Sequence, residues 1–507
     1  MKKNKLSILC FFTVLLSGMF SCQTDLLDLA PETSYPSDAV FDTPVRIDQQ
    51  VNGLYDFVKD GNFLGSRYLI YNDIRAEEFI NRLTNGVTGL QTYNHTLVES
   101  TNEVNNLWTA AYQAINQINV FLKGMDDNAA TFVAPVFPAT FAATADEYRA
   151  EARFLRAVTY YSLLQLYARP YVNSNGADLG LPLRLQAETN FENNNLARST
   201  VAEVYTQILA DLDFAEQKLP LTRTGSIAPN RAHRNTAIAF KTRVYLAMQD
   251  WDKVVTEADK IVSAAAPFKA STGVAHQLSS TFAAIWATPY QSSESIFSLP
   301  FTTLDAPGTQ NQLGYYYLPA SAGTPSTNTG NGEYYLNRKG ILGDTATLSV
   351  ADDRRKQTTK VYIKNSSGVI TDSTYYLTKF SSASPYTDSS PIMRYSEVLL
   401  NLAEAITRST ESVDTRALEL VNAVRTRSKG TAYDAADFAD FNEFVTAILK
   451  ERRAEFLGEG LRSIDCMRLN IPIPGKATIS AVNPTDPNYV WPMPSSELFV
   501  NQLLERN

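Results

Sequence analysis

Three acidic side chains that are close in the sequence could perform acid–base chemistry. Asp73, Glu77 and Glu78 occur in the segment YNDIRAEEF. A glycoside hydrolase needs only a pair of carboxyl groups, which act as an acid and as a base or nucleophile. Acidic doublets, however, are mostly solvated surface. A secreted helical glycoside hydrolase that uses Asp73 with Glu77 or Glu78 therefore remains an alternative function, and no catalytic residue is assigned.

The sequence lacks the other common catalytic motifs. Its three histidines, His95, His233 and His276, are far apart and form no HExxH motif, which argues against a zinc site of the usual type. It contains no GxSxG elbow, no P-loop and no GxGxxG motif. A Ser-His-Asp triad has no fixed spacing, and nothing marks one in this chain. We therefore predict a protein without enzyme activity, metal or cofactor.

One cysteine has a position that predicts lipid attachment. Three lysines within the first five residues precede an apolar run from Leu6 to Phe20, and Ser21-Cys22 follows. A charged start, a short apolar run and a small residue are typical of an export signal. Simple secretion is one interpretation; the one we favour makes residues 1–21 a lipoprotein signal peptide and Cys22 the acylated, palmitate-bearing first residue. Met19 departs from the leucine that is more common there.

Composition and charge exclude several classes of protein. The net charge is −8, and no cluster of Lys and Arg follows the first five residues, which argues against nucleic-acid binding. After the signal there is no apolar run of about 18 residues, so no further membrane span is predicted. With Cys22 acylated, Cys466 has no disulfide partner, and we expect it to pack as a small apolar side chain.

Aromatic clusters in a polar, irregular stretch are the best candidates for a ligand site. An aromatic ring can stack on the apolar face of a sugar while nearby polar groups bind its hydroxyls. Each of these side chains could instead pack on the scaffold, and the sequence leaves both interpretations open. The predicted ligand-binding residues are Trp286, Tyr290, Tyr315, Tyr316, Tyr317, Tyr334 and Tyr335.

Helical periodicity predicts the scaffold that must hold these clusters. Residues 22–270 contain apolar stripes at helical spacing, and Thr200 precedes Glu203 by three residues, as in a capping box. A small-residue helix over 236–248, a short turn and a second helix from Trp251 resemble a tetratricopeptide hairpin. Residues 391–507 return to helical patterns, beginning at Pro391.

The middle of the chain, residues 271–390, has a different character. It is rich in Ser, Thr, Gly, Pro and Tyr, and helical periodicity is mostly lost. Short extended pieces are predicted at 295–300, 360–363 and 375–380. Because a structureless loop of this length is implausible in a compact unit, we expect an irregular, strand-poor subdomain laid over the helices. Residues 22–507 are expected to form one compact unit.

Charged residues of the C-terminal helices have a structural interpretation. Arg452 falls on the apolar stripe of its helix, so it should point toward the core and need a partner there, with Glu397, Glu404 and Glu455 as candidates. The residues predicted to form structural ion pairs are Arg394, Glu397, Glu404, Arg452 and Glu455.

Several of these segments together resemble the SusD/RagB family. They are EARFLRAVTYYSLLQLYARPYV with LGLPL, SPIMRYSEVLLNLAEAITRS, ALELVNAVRTRSKG, ILKERRAEFLGEGLRSIDCMRLN and YVWPMPSSELFVNQ. They keep the family's order over nearly the whole mature chain; ERRAEFLGEG and WPMPSSEL are the most specific. Ser463 is a departure, since the family often has an aromatic residue there.

The resemblance implies both a fold and a function. The implied fold is mainly α, with four tetratricopeptide-like helix pairs in a right-handed superhelix and an irregular ligand-facing region. The implied function is that of a non-catalytic, lipid-anchored outer-membrane protein that faces outward, binds oligosaccharides such as starch-type glycans, and delivers them to a SusC-like TonB-dependent transporter. A peptide-binding member of the family is an alternative. The acidic overall charge argues weakly against strongly anionic glycans.

Overall fold

The computed structural model describes residues 39–225 and 228–507, so the predicted signal peptide and Cys22 lie outside the described residues. The helices are α1 (Pro44–Val58), α2 (Arg67–Ile74), α3 (Leu90–Asn94), α4 (Asn102–Asp127), α5 (Phe141–Tyr167), α6 (Tyr171–Ser174), α7 (Val201–Lys218), α8 (Arg234–Met248), α9 (Trp251–Ala258), α10 (Phe282–Ile285), α11 (Leu313–Tyr317), α12 (Tyr395–Thr410), α13 (Thr415–Arg427), α14 (Phe441–Glu455), α15 (Arg462–Arg468) and α16 (Ser495–Val500). The strands are β1 (Phe79–Asn81), β2 (Ser295–Leu299), β3 (Tyr334–Leu336), β4 (Thr358–Lys364), β5 (Ile370–Leu377) and β6 (Ser390–Arg394).

The scaffold is a stack of helices in which each long helix packs on the one before it. Contacts run from α4 to α5, α7, α8, α9, α12 and α13 in that order. Helix α5 lies inside the stack, because nearly every residue from 150 to 167 is buried. The mainly α fold with tetratricopeptide-like helix pairs is confirmed.

Local sequence signals explain where these helices begin and turn. The Glu203 backbone N–H donates to Thr200 Oγ1 at 3.2 Å and the Thr200 N–H donates to Glu203 Oε2 at 2.7 Å, which completes the predicted capping box of α7. Between α8 and α9, Gln249 adopts a left-handed conformation (φ 58°), and the Asp250 side chain caps α9 by accepting from the Lys253 N–H. The predicted hairpin is confirmed.

The middle of the chain contributes two small antiparallel sheets. One has four strands in the order β1-β3-β5-β4, and the other pairs β2 with β6. The three predicted extended pieces overlap β2, β4 and β5, although β5 ends at Leu377 and not at residue 380. The four-stranded sheet joins residue 79 to residue 377, so the irregular region is fixed to the N-terminal half by backbone pairing.

One detail of the C-terminal helices differs from the sequence prediction. Pro391 lies in strand β6 (Ser390–Arg394), which is buried along its whole length against β2, and α12 begins only at Tyr395. The pairing with a distant strand overrides a local pattern that continued the helical spacing.

The described residues contain no helix that is both long and apolar enough to cross a bilayer. Cys466 is fully buried within a small apolar cluster, as predicted, and burial raises the pKa of its thiol to about 12.

Candidate functional site

The tyrosine doublet of β3 is divided between the interior and a cleft surface. Successive residues of a strand point to opposite faces of the sheet. Tyr334 is fully buried, and its hydroxyl donates to the Thr88 carbonyl at 2.9 Å. Tyr335 is half-buried on the other face, where its ring centroid lies 6.2 Å from that of Tyr376 in β5. Of the doublet, only Tyr335 presents its ring to a cleft.

Two clefts meet at Tyr335. The large cleft, of about 860 Å³, lies between the sheet face and the segment 474–479. The small cleft, of about 370 Å³, lies between the same sheet face and the loop 319–321. Tyr335, Ile363 and Thr374 line both. An aromatic ring between two adjoining clefts has the geometry of a stacking platform for an extended ligand.

Polar side chains surround this platform at fixed positions. Arg82 reaches the small cleft and donates from Nε to the Gly332 carbonyl at 2.7 Å. In the large cleft, Arg338 donates to Asp372 at 2.8 Å. The charged residues lining the large cleft are Glu77, Arg338, Lys339, Asp372, Arg453 and Lys476. Basic side chains therefore outnumber acidic ones in this cleft, although the chain as a whole is acidic.

Trp286, the one predicted tryptophan, is a core residue. Its side chain is 7% exposed and its ring packs against Phe282 (6.0 Å) and Phe380 (5.7 Å). Lys379 Nζ lies 4.9 Å and Arg394 Cζ 5.4 Å from the ring centroid. The prediction that Trp286 binds ligand is wrong, because cation–π contacts and packing occupy the ring.

Three more of the predicted tyrosines are also interior. Tyr316, Tyr317 and Tyr334 are fully buried, so the prediction of ligand contact is wrong for them. Helix α11 turns Tyr316 and Tyr317 inward, where the Tyr316 hydroxyl donates to the Gln310 carbonyl (2.8 Å) and the Tyr317 hydroxyl to Asp73 (3.1 Å). A buried hydroxyl needs such a partner.

Tyr290 and Tyr315 lie away from the two clefts. Tyr290 is 9% exposed, and its hydroxyl donates to Asp388, so its polar end is already engaged; its ligand role stays a prediction. Tyr315 is half-buried and packs edge-on against Tyr316 and near Tyr386. Its ligand role remains a prediction, but the structure does not bring it together with Tyr335.

The three carboxylates proposed for the alternative hydrolase form hydrogen bonds and ion pairs within the fold. Asp73 is 1% exposed and accepts hydrogen bonds from the Gly460 N–H (3.0 Å) and from Tyr317. Burial raises the pKa of Asp73 well above its usual range, which these hydrogen bonds oppose. Asp73 lies inside the fold, beneath the turn after α14, and lines neither of the two clefts.

Glu77 and Glu78 are each bound to arginine. Glu77 pairs with Arg462 at 2.7 Å and with Arg453 at 2.9 Å, while Glu78 pairs with Arg453 at 2.6 Å. Burial would raise the pKa of Glu77, but its two guanidinium partners outweigh burial and lower it. For Glu78, burial dominates and the pKa is raised despite Arg453. Only Glu77 lines the large cleft, so the cleft holds no free carboxylate pair of this group.

All five residues predicted to form ion pairs are buried, and each is paired with at least one side chain of opposite charge. Arg394 and Glu455 belong to a ten-residue ion-pair network of five basic and five acidic side chains. Its members are Lys379, Arg354, Arg394, Arg425, Arg427, Asp352, Glu294, Glu451, Glu455 and Glu459. The charges therefore balance within the interior.

The remaining predicted ion-pair residues have other partners. Glu397 pairs with Arg243 at 2.6 Å, and Glu404 with Arg468 at 2.7 Å. Arg452 contacts none of the three glutamates proposed for it; it pairs with Asp465 at 3.0 Å. Asp465 lies on α15, and a sequence pattern within one helix carries no information on which neighbouring helix supplies the partner.

The described residues offer no cluster of three or more His, Cys, Asp or Glu able to hold a metal ion. Sequence reasoning also missed the residues that line the large cleft beside Tyr335, among them Arg338, Arg453 and Lys476. Only Lys476 had a visible local signal, because it lies in the turn sequence PGKA.

Comparison with known proteins identifies the family. Residues 25–246 match a SusD-like family model described as starch-binding and associating with the outer membrane, and residues 356–507 match the SusD family model. A SusD superfamily protein from Bacteroides fragilis is 31% identical, with a TM-score of 0.78 over 92% of this chain and 100% of that one.

More distant relatives agree with that assignment. A SusD-like protein of Formosa agariphila is 24% identical over 100% of this chain and 99% of its own length. A structure titled a laminarin-binding SusD-like protein has the same fold, with a TM-score of 0.69 at 18% identity over 92% of this chain and 99% of that one. The chain belongs to the SusD family.

Proposed function

We propose that this protein binds an oligosaccharide at the sheet face around Tyr335 and does not transform it. The observation that carries the proposal is the half-buried Tyr335 ring at the junction of two clefts of about 860 and 370 Å³. Sugar rings have apolar faces that stack on tyrosine, and their hydroxyls match the Arg, Asn and Thr side chains of the lining. The relative described as laminarin-binding supports a glycan over another ligand class.

The family and the predicted signal support a proposal for the cellular setting. One matching family model is described as associating with the outer membrane. We propose that Cys22 carries lipid, that the protein faces outward, and that it delivers its glycan to a SusC-like TonB-dependent transporter. Acylation at the first mature residue would hold the chain on the membrane by its N-terminus alone.

Catalysis is not part of the proposal. Each of Asp73, Glu77 and Glu78 is engaged in hydrogen bonds or ion pairs, and hydrolysis needs one carboxyl group free to give a proton and another to act as base or nucleophile. Incubation of the protein with its bound glycan should release no reducing ends. Release that disappears in Glu78→Gln would instead establish the hydrolase.

The binding site is tested by one substitution and a control on the same sheet. Tyr335→Ala should weaken glycan binding in affinity gels by about tenfold or more, because loss of one stacking ring removes roughly 0.5–1.5 kcal/mol beyond its buried area. Tyr362 is 41% exposed and lies on the opposite face of β4, so Tyr362→Ala should leave the affinity unchanged.

Two outcomes would contradict this assignment. Equal weakening by both variants would mean that the sheet matters only through its stability. Retention of peptides on a binding array that shows no glycan signal would favour the peptide-binding alternative.

A further inference from the structure

Three buried basic side chains lie together beside the large cleft, and one of them, Lys476, lines it. Arg75, His95 and Lys476 are 1%, 8% and 3% exposed. Lys476 Nζ donates to the Arg75 carbonyl oxygen at 2.8 Å and lies 3.4 Å from His95 Nε2. It also lies 4.7 Å from the centroid of the Tyr93 ring. We call Arg75, His95 and Lys476 the basic cluster.

The basic cluster has no counter-charge of its own. Within the described residues, none of its three members forms an ion pair with a carboxylate. Glu77 is the acid whose charge acts on Lys476, but its oxygens are bound by Arg453 and Arg462. A buried cation without a partner is costly.

The energetic cost of burying these cations appears in the pKa values of Lys476 and His95, which are lowered. Burial and the neighbouring Arg75 charge lower the pKa of Lys476 to about 7. Burial, with the charges of Lys476 and Arg75, lowers the pKa of His95 to about 3, so that imidazole is neutral. An anion bound beside Lys476 would favour its charged form and raise its pKa.

The backbone holds Lys476 at the cleft wall. Its N–H donates to the Ile479 carbonyl at 3.0 Å, and the Ile479 N–H donates back at 2.8 Å, which closes a tight turn. Ala477, next in the chain, adopts a left-handed backbone conformation (φ 50°) that residues other than glycine rarely adopt. Strained backbone of this kind is often found where a fold positions a functional group.

We propose that the large cleft recognises an anionic substituent, a carboxylate or a sulfate, on the bound glycan, with Lys476 as the charged contact. This inference rests on the proposed function, since it names the class of glycan that the site around Tyr335 takes. Lys476 has three N–H donors; the Arg75 carbonyl and the His95 ring occupy two, and the third has no oxygen or nitrogen acceptor among the described residues.

The acidity of the whole chain does not oppose this assignment. Charges separated by more than about 8 Å are largely screened at physiological salt. The potential in the cleft is therefore set by nearby charges. Arg338 and Arg453 are paired with Asp372, Glu77 and Glu78, so Lys339 and Lys476 are the lining cations without a carboxylate partner among the described residues.

The test uses the mature chain and three oligosaccharides of equal length: neutral glucan, oligogalacturonate and a sulfated galactan. Calorimetry at pH 6.5 should show an affinity about tenfold or more higher for an acidic oligosaccharide than for the neutral one, because one charge-assisted hydrogen bond contributes about that much. The uronate and sulfate arms distinguish the two anions. The preference should shrink as the pH rises from 6.5 to 8.5, because Lys476 loses its proton.

Variants separate this inference from the proposed function. Lys476→Met should abolish the preference for acidic oligosaccharides while leaving neutral binding intact, and Lys476→Arg should keep the preference but remove its pH dependence. Tyr335→Ala should weaken acidic and neutral binding alike. Glycan binding with no preference for acidic oligosaccharides, or a preference that survives Lys476→Met, would overturn the inference and leave the proposed function standing.

A glycan-free measurement decides the case in which no oligosaccharide binds. Sodium glucuronate or sodium sulfate should then still shift the Lys476 amine resonance and raise its pKa, which would support an anion site with another ligand. If neither anion moves that resonance, the inference fails together with the proposed function.

Discussion

Two buried groups of basic side chains differ in whether their charge is neutralised. The ten-residue ion-pair network places five basic side chains against five carboxylates, and Arg394 alone contacts Glu294, Glu455 and Glu459. Within residues 39–225 and 228–507, no carboxylate pairs with the basic cluster. Helix α14 contributes to both regions, since Glu451 and Glu455 enter the network while Arg453 lines the large cleft.

The contrast separates structural charge from charge available to a ligand. In the network, carboxylates raise the pKa of Arg394 well above its usual range despite burial, and guanidinium groups lower that of Glu455. Lys379 is the network cation whose pKa burial still lowers. In the basic cluster burial is not offset, so the pKa of Arg75 falls to about 10 and that of Lys476 to about 7. An uncompensated cation beside a cleft can gain from binding an anion; a neutralised one cannot.

The largest effect should come from breaking the balance of the network. Arg394→Met leaves Glu294, Glu455 and Glu459 with a missing partner in the interior, and the free energy of unfolding should fall by about 3–5 kcal/mol. Urea denaturation at pH 7 measures the change.

Lys123→Met is the matched control for that prediction. Lys123 forms an exposed pair with Asp127 at 2.6 Å, so its loss should cost less than about 1 kcal/mol. Similar losses of unfolding free energy in the two variants would mean that the network contributes no more to stability than surface pairs do. The contrast between the network and the basic cluster would then be wrong.

The basic cluster should respond to substitution in the opposite way. The pKa of Lys476 is about 7 in the folded chain and near 10.5 when unfolded, so the unfolded chain binds more protons between those values. Stability should therefore rise with pH across this window, by up to about 1.4 kcal/mol per pH unit. Lys476→Met should remove this part of the slope, and it should not destabilise the chain at pH 7.

Urea denaturation of both proteins at pH 7, 8 and 9 checks the sign. The difference between the variant and the wild type isolates Lys476, because every other titrating group is common to the two. A variant that is less stable at pH 7, or a difference that does not change with pH, would show that Lys476 is compensated by a neighbour.

The scaffold was predictable from sequence because its signals are local. Helical periodicity, the Thr200–Glu203 capping box and the turn before Trp251 each involve residues fewer than about four positions apart. A long amphipathic helix repeats its signal over several turns, so single exceptions do not obscure it.

The site was less predictable because its contacts are distant in the chain. Trp286 lies in a polar segment, yet Phe380 and Arg394, about a hundred residues later, cover its ring. Strand β3 has only three residues, too few to show the alternation that separates Tyr334 from Tyr335. Lys476 meets Arg75, 401 positions earlier in the chain.

The smallest effect should come from the rim of the large cleft, where charge is exposed. Lys339 lines the cleft but is open to solvent, so it can attract an anionic glycan without a desolvated contact. Lys339→Gln should weaken binding of the preferred acidic oligosaccharide by only about twofold at low salt, mainly through the association rate. In about 0.5 M NaCl this effect should vanish, because the screening length falls to a few ångströms. The effect of Lys476→Met should persist in the same salt, since a buried contact is screened far less; equal salt sensitivity of the two variants would place Lys476 on the rim as well.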